Sequence, residues 1–362
     1  MRFKIGGALA PTPEKPIPGS NAMTTRRIFL KSSAAAAAAS TLPAPAVLAQ
    51  AATEEIKLHS FVPPTHVIWT DVITPWAADV AKRSDNRLTI RLFPAMQLGG
   101  KPPELYRQTL QGITDATFTL PGYTSNDFPM MALTELPGTA TSAEDGTKKL
   151  WANFDKFLAR DFKGTKVLSL WNSDSASLMA KSKALRTMED IKGMKIRTPS
   201  AAQTAQLEAL GATPIDMPAP AIYNNLDRGV IDASMIPMSA ALDFKLIEVA
   251  RHYTIDAPLG RSPFLVAMNE ARYQKLPADL RKILDETTGL TMSIKCAQTY
   301  DKKNNEAIEA AKTRKYELIS LAPAERQRWV TAFKPVIQRQ VEDAEKKGLP
   351  AKGLVSAYGL LA

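Results

Sequence analysis

The stretch Asp190-Ile-Lys-Gly-Met-Lys-Ile-Arg-Thr-Pro199 contains a short apolar strand that ends on a positive charge, Arg197. A helix-capping pattern at Ser200 predicts a helix directly after it, and Gly211 predicts the end of that helix. The planar guanidinium of Arg197 can bind a carboxylate through two parallel hydrogen bonds. It also lies near a helix N-terminus, whose free amides favour an anion. The stretch therefore predicts a strand, a helix and a candidate anion site between them.

Strands and helices alternate along the rest of the chain. The main strand-like segments lie at 54–61, 87–93, 166–171, 233–236 and 264–269. A helix-like run extends from Ala278 to Lys312 and is broken only at Gly289, and a last helix is predicted at Pro323–Lys346. This alternation predicts an α/β architecture with sheets covered on both faces. Because no long linker divides the chain, we expect either two lobes that exchange segments or one unusually large domain.

The composition is that of a globular protein with few groups for metal or thiol chemistry. The 362 residues are 45% hydrophobic and 23% charged, with one cysteine and three histidines. A single cysteine excludes an internal disulfide and a cysteine-based metal cluster, and we expect Cys296 to be buried in a helix. The gap between His59 and His66 suits no simple pair of metal ligands. We therefore predict no metal and no cofactor.

The net charge of +10 is unevenly distributed. Residues 1–49 carry six basic side chains and one acidic side chain, so the remaining chain has a net charge of +5. That remainder has no dense stripe of Lys and Arg interleaved with aromatic residues. The pattern argues against nucleic-acid binding.

Residues 1–49 have the three parts of a secretory signal. Arg26-Arg27 and the residues after it resemble a twin-arginine export motif, and an alanine-rich run and Val47-Leu48-Ala49 follow. The true start is either Met1 or Met23. We expect cleavage near Ala49 and a mature protein in the periplasm.

The mature chain lacks common catalytic and nucleotide-binding motifs. No Gly-x-Gly-x-x-Gly, phosphate-loop or Gly-x-Ser-x-Gly sequence occurs. Asp115 and Asp232 each follow a glycine-containing turn and are better explained as turn or capping residues than as general bases. Binding is therefore the favoured class, and an exported enzyme is the alternative.

Several short motifs, taken in order, resemble one family. They are Gln97-Leu-Gly-Gly100, Gly112-Ile-Thr-Asp115, the stretch 190–199, Leu210-Gly-Ala-Thr-Pro214 and Leu226-Asp-Arg-Gly-Val-Ile-Asp232. Over about residues 54–345 the chain resembles the extracytoplasmic solute receptors of TRAP transporters, the DctP-type family. The resemblance implies a two-lobed periplasmic binding protein that captures an organic acid, delivers it to membrane permease subunits and is not an enzyme. We expect a monomer, although the amphipathic last helix would allow pairing.

The resemblance also implies how the chain divides. Lobe I is expected at residues 53–174 plus 262–303, and lobe II at 175–261 plus 304–362 with the C-terminal helix. The long run from Ala278 would span both lobes.

From the residues alone, a surface arginine is the favoured interpretation of Arg197. The resemblance instead places it at the family's carboxylate-binding arginine. Four further pocket positions, where members carry charged, amide or other polar groups, are small or apolar here: Phe61, Leu120, Ser177 and Ile236. Trp171, Tyr123 and Met235 are further candidates to line the pocket, each with plain core packing as the alternative.

A pocket of this kind restricts the ligand. Each unpaired buried polar group costs about 1–3 kcal/mol, so one cation among apolar walls disfavours a second carboxylate or a ring of sugar hydroxyls. We expect a monocarboxylate with a hydrophobic body: an aromatic acid, an aryl 2-oxo acid or a branched-chain 2-oxo acid. A C4-dicarboxylate or sugar acid would need a second cation, for which Arg91, Lys101 and Arg261 are candidates. A role in presenting the ligand to a sensor kinase stays open.

Overall fold

The computed structural model describes residues 53–360, so the predicted export signal at residues 1–49 lies outside the described residues. The described part contains eleven strands: β1 Glu54–Ser60, β2 Leu88–Phe93, β3 Ala116–Thr119, β4 Thr165–Asn172, β5 Ala176–Ala180, β6 Lys195–Thr198, β7 Thr213–Asp216, β8 Ala233–Pro237, β9 His252–Thr254, β10 Pro263–Asn269 and β11 Glu317–Ile319.

The same residues contain thirteen α-helices: α1 Thr74–Arg83, α2 Leu105–Leu110, α3 Pro129–Ala132, α4 Ala143–Ala152, α5 Met188–Ile191, α6 Ala201–Ala209, α7 Ile222–Asp227, α8 Ala240–Asp243, α9 Glu270–Lys275, α10 Ala278–Thr287, α11 Gly289–Thr313, α12 Pro323–Lys346 and α13 Ala351–Ala357. Short 3₁₀ or π turns lie at Trp69–Ile73, Pro102–Glu104, Pro121–Thr124, Leu133–Glu135, Phe154–Leu158, Ala159–Phe162, Ala219–Ala221 and Leu246–Glu248. None of the helices at 53–360 is long and apolar enough to cross a bilayer.

The strands form two sheets. Sheet A has the order β2-β1-β3-β10-β4, and sheet B has the order β11-β9-β5-β8-β6-β7. In sheet A, β1 is parallel to β2 and β3, and β10 is antiparallel to both of its neighbours. In sheet B, β6 is parallel to β7 and β8, and β5 is antiparallel to both of its neighbours. The strands β5, β10 and β11 are the first ones after the three crossings of the chain from one sheet to the other.

The first two crossing segments, at Ser173 and at Arg261–Ser262, lie side by side. The backbone N–H of Ser173 donates to the carbonyl of Ser262 at 2.9 Å, and Nη1 of Arg261 donates to the carbonyl of Ser173 at 3.1 Å. Gly260 lies so close to the carbonyl oxygen of Glu135 that a Cβ atom there would be 1.7 Å from it. The chain thus returns to sheet A after building most of sheet B, which confirms the expected α/β fold with interleaved halves and explains why no linker is visible.

The helix-like run from Ala278 forms the helices α10 and α11. They are separated at Thr288, which has extended backbone, and the break at Gly289 with its φ of +71° confirms the sequence-based prediction. The helix α11 packs against β4 and α4 near its start and reaches β11 of sheet B near its end. Cys296 is buried within it, as expected.

The C-terminal helices contact both halves. Trp329 and Phe333 of α12 belong to the apolar cluster of sheet B. Further along, Val341 of α12 and Leu354 of α13 pack in one cluster with Leu265 of sheet A. The end of the chain therefore connects the outer surfaces of the two sheets.

Candidate ligand-binding site

A cavity lies between the two sheets, next to Arg197. Its empty volume, which includes space open to solvent, is about 420 Å³. The lining residues come from the strands of both sheets and from the segments that follow them. The apolar lining includes Phe61, Leu120, Ile236, Ala240, Phe244 and Phe264, and the polar lining consists of His66, Tyr123, Arg197, Ser239, Ser262 and Tyr300. The arrangement suits a small molecule with an apolar body and an anionic end.

Arg197 is a fixed, buried cation on β6. Its side chain is only 2% exposed, and its guanidinium donates from Nε to the carbonyl of Met217 at 2.8 Å and from Nη1 to the carbonyl of Met235 at 3.1 Å. Among residues 53–360 no carboxylate forms an ion pair with it, although the charge of Asp216 acts on it from nearby. Burial lowers the pKa of Arg197, but a guanidinium remains protonated at neutral pH. A buried positive charge without an ion-pair partner is a strong anion site.

Tyr123 lies beside the guanidinium. Its hydroxyl oxygen accepts from the backbone N–H of Ala219 at 2.9 Å, and burial raises the pKa of Tyr123, opposed by the charge of Arg197. Its ring packs edge-on against Phe61 at 5.3 Å. The phenol is therefore held in place as an uncharged group, and its own proton is available to an oxygen bound at Arg197.

Two buried carboxyl groups connect the segments around the cavity. Glu135, on the sheet A side, accepts from Oγ of Ser200 at 2.6 Å and from Nε2 of Gln203 at 3.1 Å, at the start of α6. Burial raises the pKa of Glu135 to about 7, although these two hydrogen bonds act in the opposite direction. Asp174 accepts from both the N–H and the Oγ of Ser239, and burial raises its pKa to about 6. Gln203 also donates from Nε2 to Oγ of Ser262 at 2.8 Å, and this contact fixes the crossing segment relative to α6.

Five of the eight residues expected from the sequence line this cavity together. They are Phe61, Leu120, Tyr123, Arg197 and Ile236. They come from four separate parts of the chain, so their meeting depends on the crossing of the chain between the sheets.

The other three expected residues do not line the cavity. Trp171 packs behind it, with its ring stacked on Phe264 at 5.9 Å. Oγ of Ser177 donates to the carbonyl of Ile236 at 2.8 Å and so ties β5 to β8. Met235 precedes Ile236 on β8, and because side chains alternate along a strand, it points into the apolar cluster of sheet B. Only its carbonyl takes part in the site, as the acceptor for Arg197.

Several lining residues were not expected from the sequence. His66 was considered only as a metal ligand, and Ser239, Phe244, Phe264 and Tyr300 were not considered at all. No cluster of His, Cys, Asp or Glu that could hold a metal occurs among residues 53–360. An apolar residue in a strand or helix pattern does not reveal whether it faces a cavity or plain core, so the sequence carried no signal for these positions.

Two sheets with a cavity and a buried cation between them define a solute-binding protein of the two-lobed type. The profile of the family described as "Bacterial extracellular solute-binding protein, family 7", DctP, matches residues 58–344. The chain belongs to this family, which confirms the resemblance found in the motifs.

Solved structures of TRAP solute-binding proteins share the fold. One, from Rhodoferax ferrireducens T118 in complex with copurified benzoate, is 33% identical, with a TM-score of 0.81 over 84% of this chain and 97% of that one. Another, a marine metagenome protein specific for aromatic acid ligands and crystallised with 3-hydroxybenzoate, is 32% identical, with a TM-score of 0.82 over 85% of this chain and 97% of that one.

A curated relative has a different ligand. The 2,3-diketo-L-gulonate-binding periplasmic protein YiaO of Escherichia coli K12 is 27% identical over 210 residues, which cover 56% of this chain and 62% of that protein. TRAP solute-binding proteins take small organic acids and work with membrane permease components.

Proposed function

We propose that this chain captures a hydrophobic monocarboxylate, either an aromatic acid or an aryl or branched-chain 2-oxo acid, and delivers it to TRAP permease subunits. One observation carries the proposal. Arg197 is buried without an ion-pair partner among the described residues and opens onto a cavity whose other walls are mostly apolar. A carboxylate neutralises the guanidinium, and a ring or branched chain fills the space beyond it.

The lining favours one carboxylate over two. Among the cavity residues Arg197 alone carries a positive charge, because burial lowers the pKa of His66 to about 3 and leaves it neutral. Of the candidate second cations, Arg91 and Lys101 are exposed, and Arg261 lines a separate surface groove. The benzoate and 3-hydroxybenzoate in the two structural relatives support the same ligand class. Because one relative binds 2,3-diketo-L-gulonate, a sugar acid is the second candidate for the ligand.

The cellular setting follows from the family and the N-terminal sequence. We place the protein in the periplasm after cleavage near Ala49, as a monomer that binds and releases rather than turns over its ligand. Lobe I at 53–174 plus 262–303 and lobe II at 175–261 plus 304–362 would move relative to each other around the crossing segments at Ser173 and Ser262.

Thermal unfolding of the purified protein against a panel of acids tests the ligand class. The panel contains benzoate, phenylglyoxylate, 4-methyl-2-oxopentanoate, succinate, malate and glucuronate. A ligand at 100 times its Kd adds about 2.7 kcal/mol to stability, which shifts the Tm by several degrees. We expect shifts with the first three acids only. A shift with succinate or glucuronate alone would overturn the monocarboxylate assignment and favour the second candidate.

A further inference from the structure

Tyr300 is a buried polar group on the cavity wall that has no partner. It lies on α11, its side chain is 2% exposed, and its hydroxyl makes no hydrogen bond with any residue at 53–360. Its ring packs against Phe264 at 5.4 Å and against the imidazole of His66 at 5.9 Å. Leaving a buried hydroxyl unpaired costs about 1–3 kcal/mol, so a partner is expected when the site is filled.

His66 forms the neighbouring polar surface. Its Nδ1 accepts from the backbone N–H of Ile68 at 3.3 Å, so the proton of the neutral ring is on Nε2. Nε2 is 3.6 Å from Oδ2 of Asp243, too far for a hydrogen bond, and that oxygen is also without a partner. Unsatisfied donors and acceptors are thus concentrated around His66 and Tyr300.

These groups have different surroundings from the carboxylate anchor. Arg197 is surrounded by Tyr123 and the carbonyls of Met217 and Met235. Tyr300 packs against aromatic rings, and the charges that act on its hydroxyl are chiefly those of Asp243 and Asp174, with a smaller effect of Tyr123. The cavity therefore has a cationic end at Arg197 and an acidic polar region at Tyr300, and Tyr123 is close to both.

We propose that Tyr300 and His66 form a second polar subsite that binds an uncharged hydroxyl on the body of the bound acid. This assignment rests on the proposed function, and it narrows the ligand class to hydroxylated aromatic monocarboxylates. The ligand's hydroxyl accepts the Tyr300 proton and keeps its own proton for a further acceptor. The apolar ring then lies between this subsite and Arg197.

The charges near Tyr300 explain why the substituent is a hydroxyl and not a second carboxylate. Asp243 and Asp174 are both acidic, and no cation lines this part of the cavity. The positive charge that acts on His66 and Asp243 is that of Lys303, whose Nζ donates a hydrogen bond to Glu306 at 3.2 Å. A carboxylate here would be buried beside two acidic groups with no lining cation to neutralise it, whereas a methyl group or a chlorine would leave the Tyr300 hydroxyl unpaired.

Isothermal titration calorimetry with benzoate, its 2-, 3- and 4-hydroxy derivatives and the matching chlorobenzoates tests the subsite. We expect the wild-type protein to bind one hydroxybenzoate isomer more tightly than both benzoate and the corresponding chlorobenzoate, by about 3- to 10-fold for one gained hydrogen bond. In Tyr300→Phe the ratio of the benzoate Kd to the hydroxybenzoate Kd should fall to about 1, because the variant lacks the hydroxyl but keeps the ring.

Tyr358→Phe is the matched control. Its hydroxyl is also buried and unpaired, but it lies on the C-terminal helices away from the cavity, so the preference should stay at the wild-type value. Thermal unfolding of the ligand-free variants checks that both are folded. Binding of benzoate with no gain from any hydroxyl, or a gain that survives in Tyr300→Phe, would overturn the subsite while leaving the proposed function intact. Failure of every aromatic acid and of 4-methyl-2-oxopentanoate to bind the wild-type protein would overturn both.

Discussion

Arg197 and Met235 are joined by a hydrogen bond from Nη1 of the guanidinium to the backbone carbonyl oxygen, at 3.1 Å. A second bond, from Nε to the carbonyl of Met217 at 2.8 Å, fixes the plane of the same group. The cation is thus oriented by main-chain atoms of two neighbouring segments. Preorganisation of this kind reduces the entropy cost of binding, since the long side chain is already immobile.

Removal of the anchor should cost most of the affinity. In Arg197→Ala the ligand's carboxylate is buried without a partner, so we expect the Kd of benzoate to rise at least about 30-fold, or about 2 kcal/mol. Calorimetric titration measures this change. Arg91→Ala, which removes an exposed arginine, serves as the control. An unchanged Kd in Arg197→Ala would place the carboxylate elsewhere.

The apolar wall should set the size of the ligand. Phe61 is 3% exposed and packs edge-on against Tyr123 and Phe118. In Phe61→Ala we expect a loss of about 3 kcal/mol in the free energy of unfolding and an enlarged cavity. Urea unfolding measures the first effect. The ratio of the affinities for 2-naphthoate and benzoate measures the second and should rise.

Phe154, a partly buried ring outside the cavity, provides the control for Phe61→Ala. Phe154 packs against Trp151 and Phe162 and does not line the cavity. Phe154→Ala should destabilise the protein without altering the naphthoate-to-benzoate ratio. If both variants left the ratio at its wild-type value, Phe61 would not limit ligand size.

Glu135 should make stability depend on pH. Burial raises its pKa from 4.5 to about 7 in the folded protein. Between these values the folded state holds the proton more tightly than the unfolded state, so its contribution to stability is lost as the pH rises through about 7. Glu135→Gln removes this contribution. We therefore expect the variant to gain stability relative to the wild type between pH 5 and pH 8, on the order of 3 kcal/mol.

Urea unfolding of both ligand-free proteins at the two pH values gives this difference directly. Other buried acids, such as Asp174, are common to both proteins and cancel. Glu208→Gln, at an exposed position on the same helix α6, is the control and should show no pH-dependent difference. A constant difference between Glu135→Gln and the wild type would mean that Glu135 titrates normally.

The single thiol should be inert in the folded protein. Cys296 is fully buried in α11, and burial raises the pKa of its thiol well above the ordinary value. Reaction with Ellman's reagent at pH 8 should be at least about a hundredfold slower in buffer than in guanidinium chloride, because it requires opening of the helix packing. Rapid reaction of the native protein would show that α11 is not packed as described here.

The sequence predicted the strand and helix around Arg197 because they form a local pattern, and the family resemblance made Arg197 the candidate carboxylate anchor. Its strand, the helix cap at Ser200 and the stop at Gly211 are all set by neighbouring residues, and the structure has them within one or two positions. The alternating pattern likewise predicted the α/β class and the broken long helix. Phe61, Leu120, Tyr123 and Ile236 became candidates through the resemblance to the family, and the structure brings them around one cavity.

The sequence could not separate cavity from core. Met235 and Ile236 are adjacent apolar residues on β8, yet only Ile236 faces the cavity, because successive side chains point to opposite faces of a sheet. Trp171 and Phe264 stack on each other, and only Phe264 reaches the lining. Which face of a strand is covered depends on the other sheet, and local sequence does not contain that information.

The sequence by itself determined the family and the order of most strands and helices, since each depends on short-range spacing. Tertiary structure alone decided that Tyr300 and His66, 234 positions apart in the numbering, share one wall with Phe264. It also decided that Glu135 meets α6 in a buried contact. These pairs meet because the chain crosses three times between two sheets. Burial then shifts the pKa values of their ionisable groups and leaves some polar atoms without hydrogen bonds, which does not happen in a solvated segment.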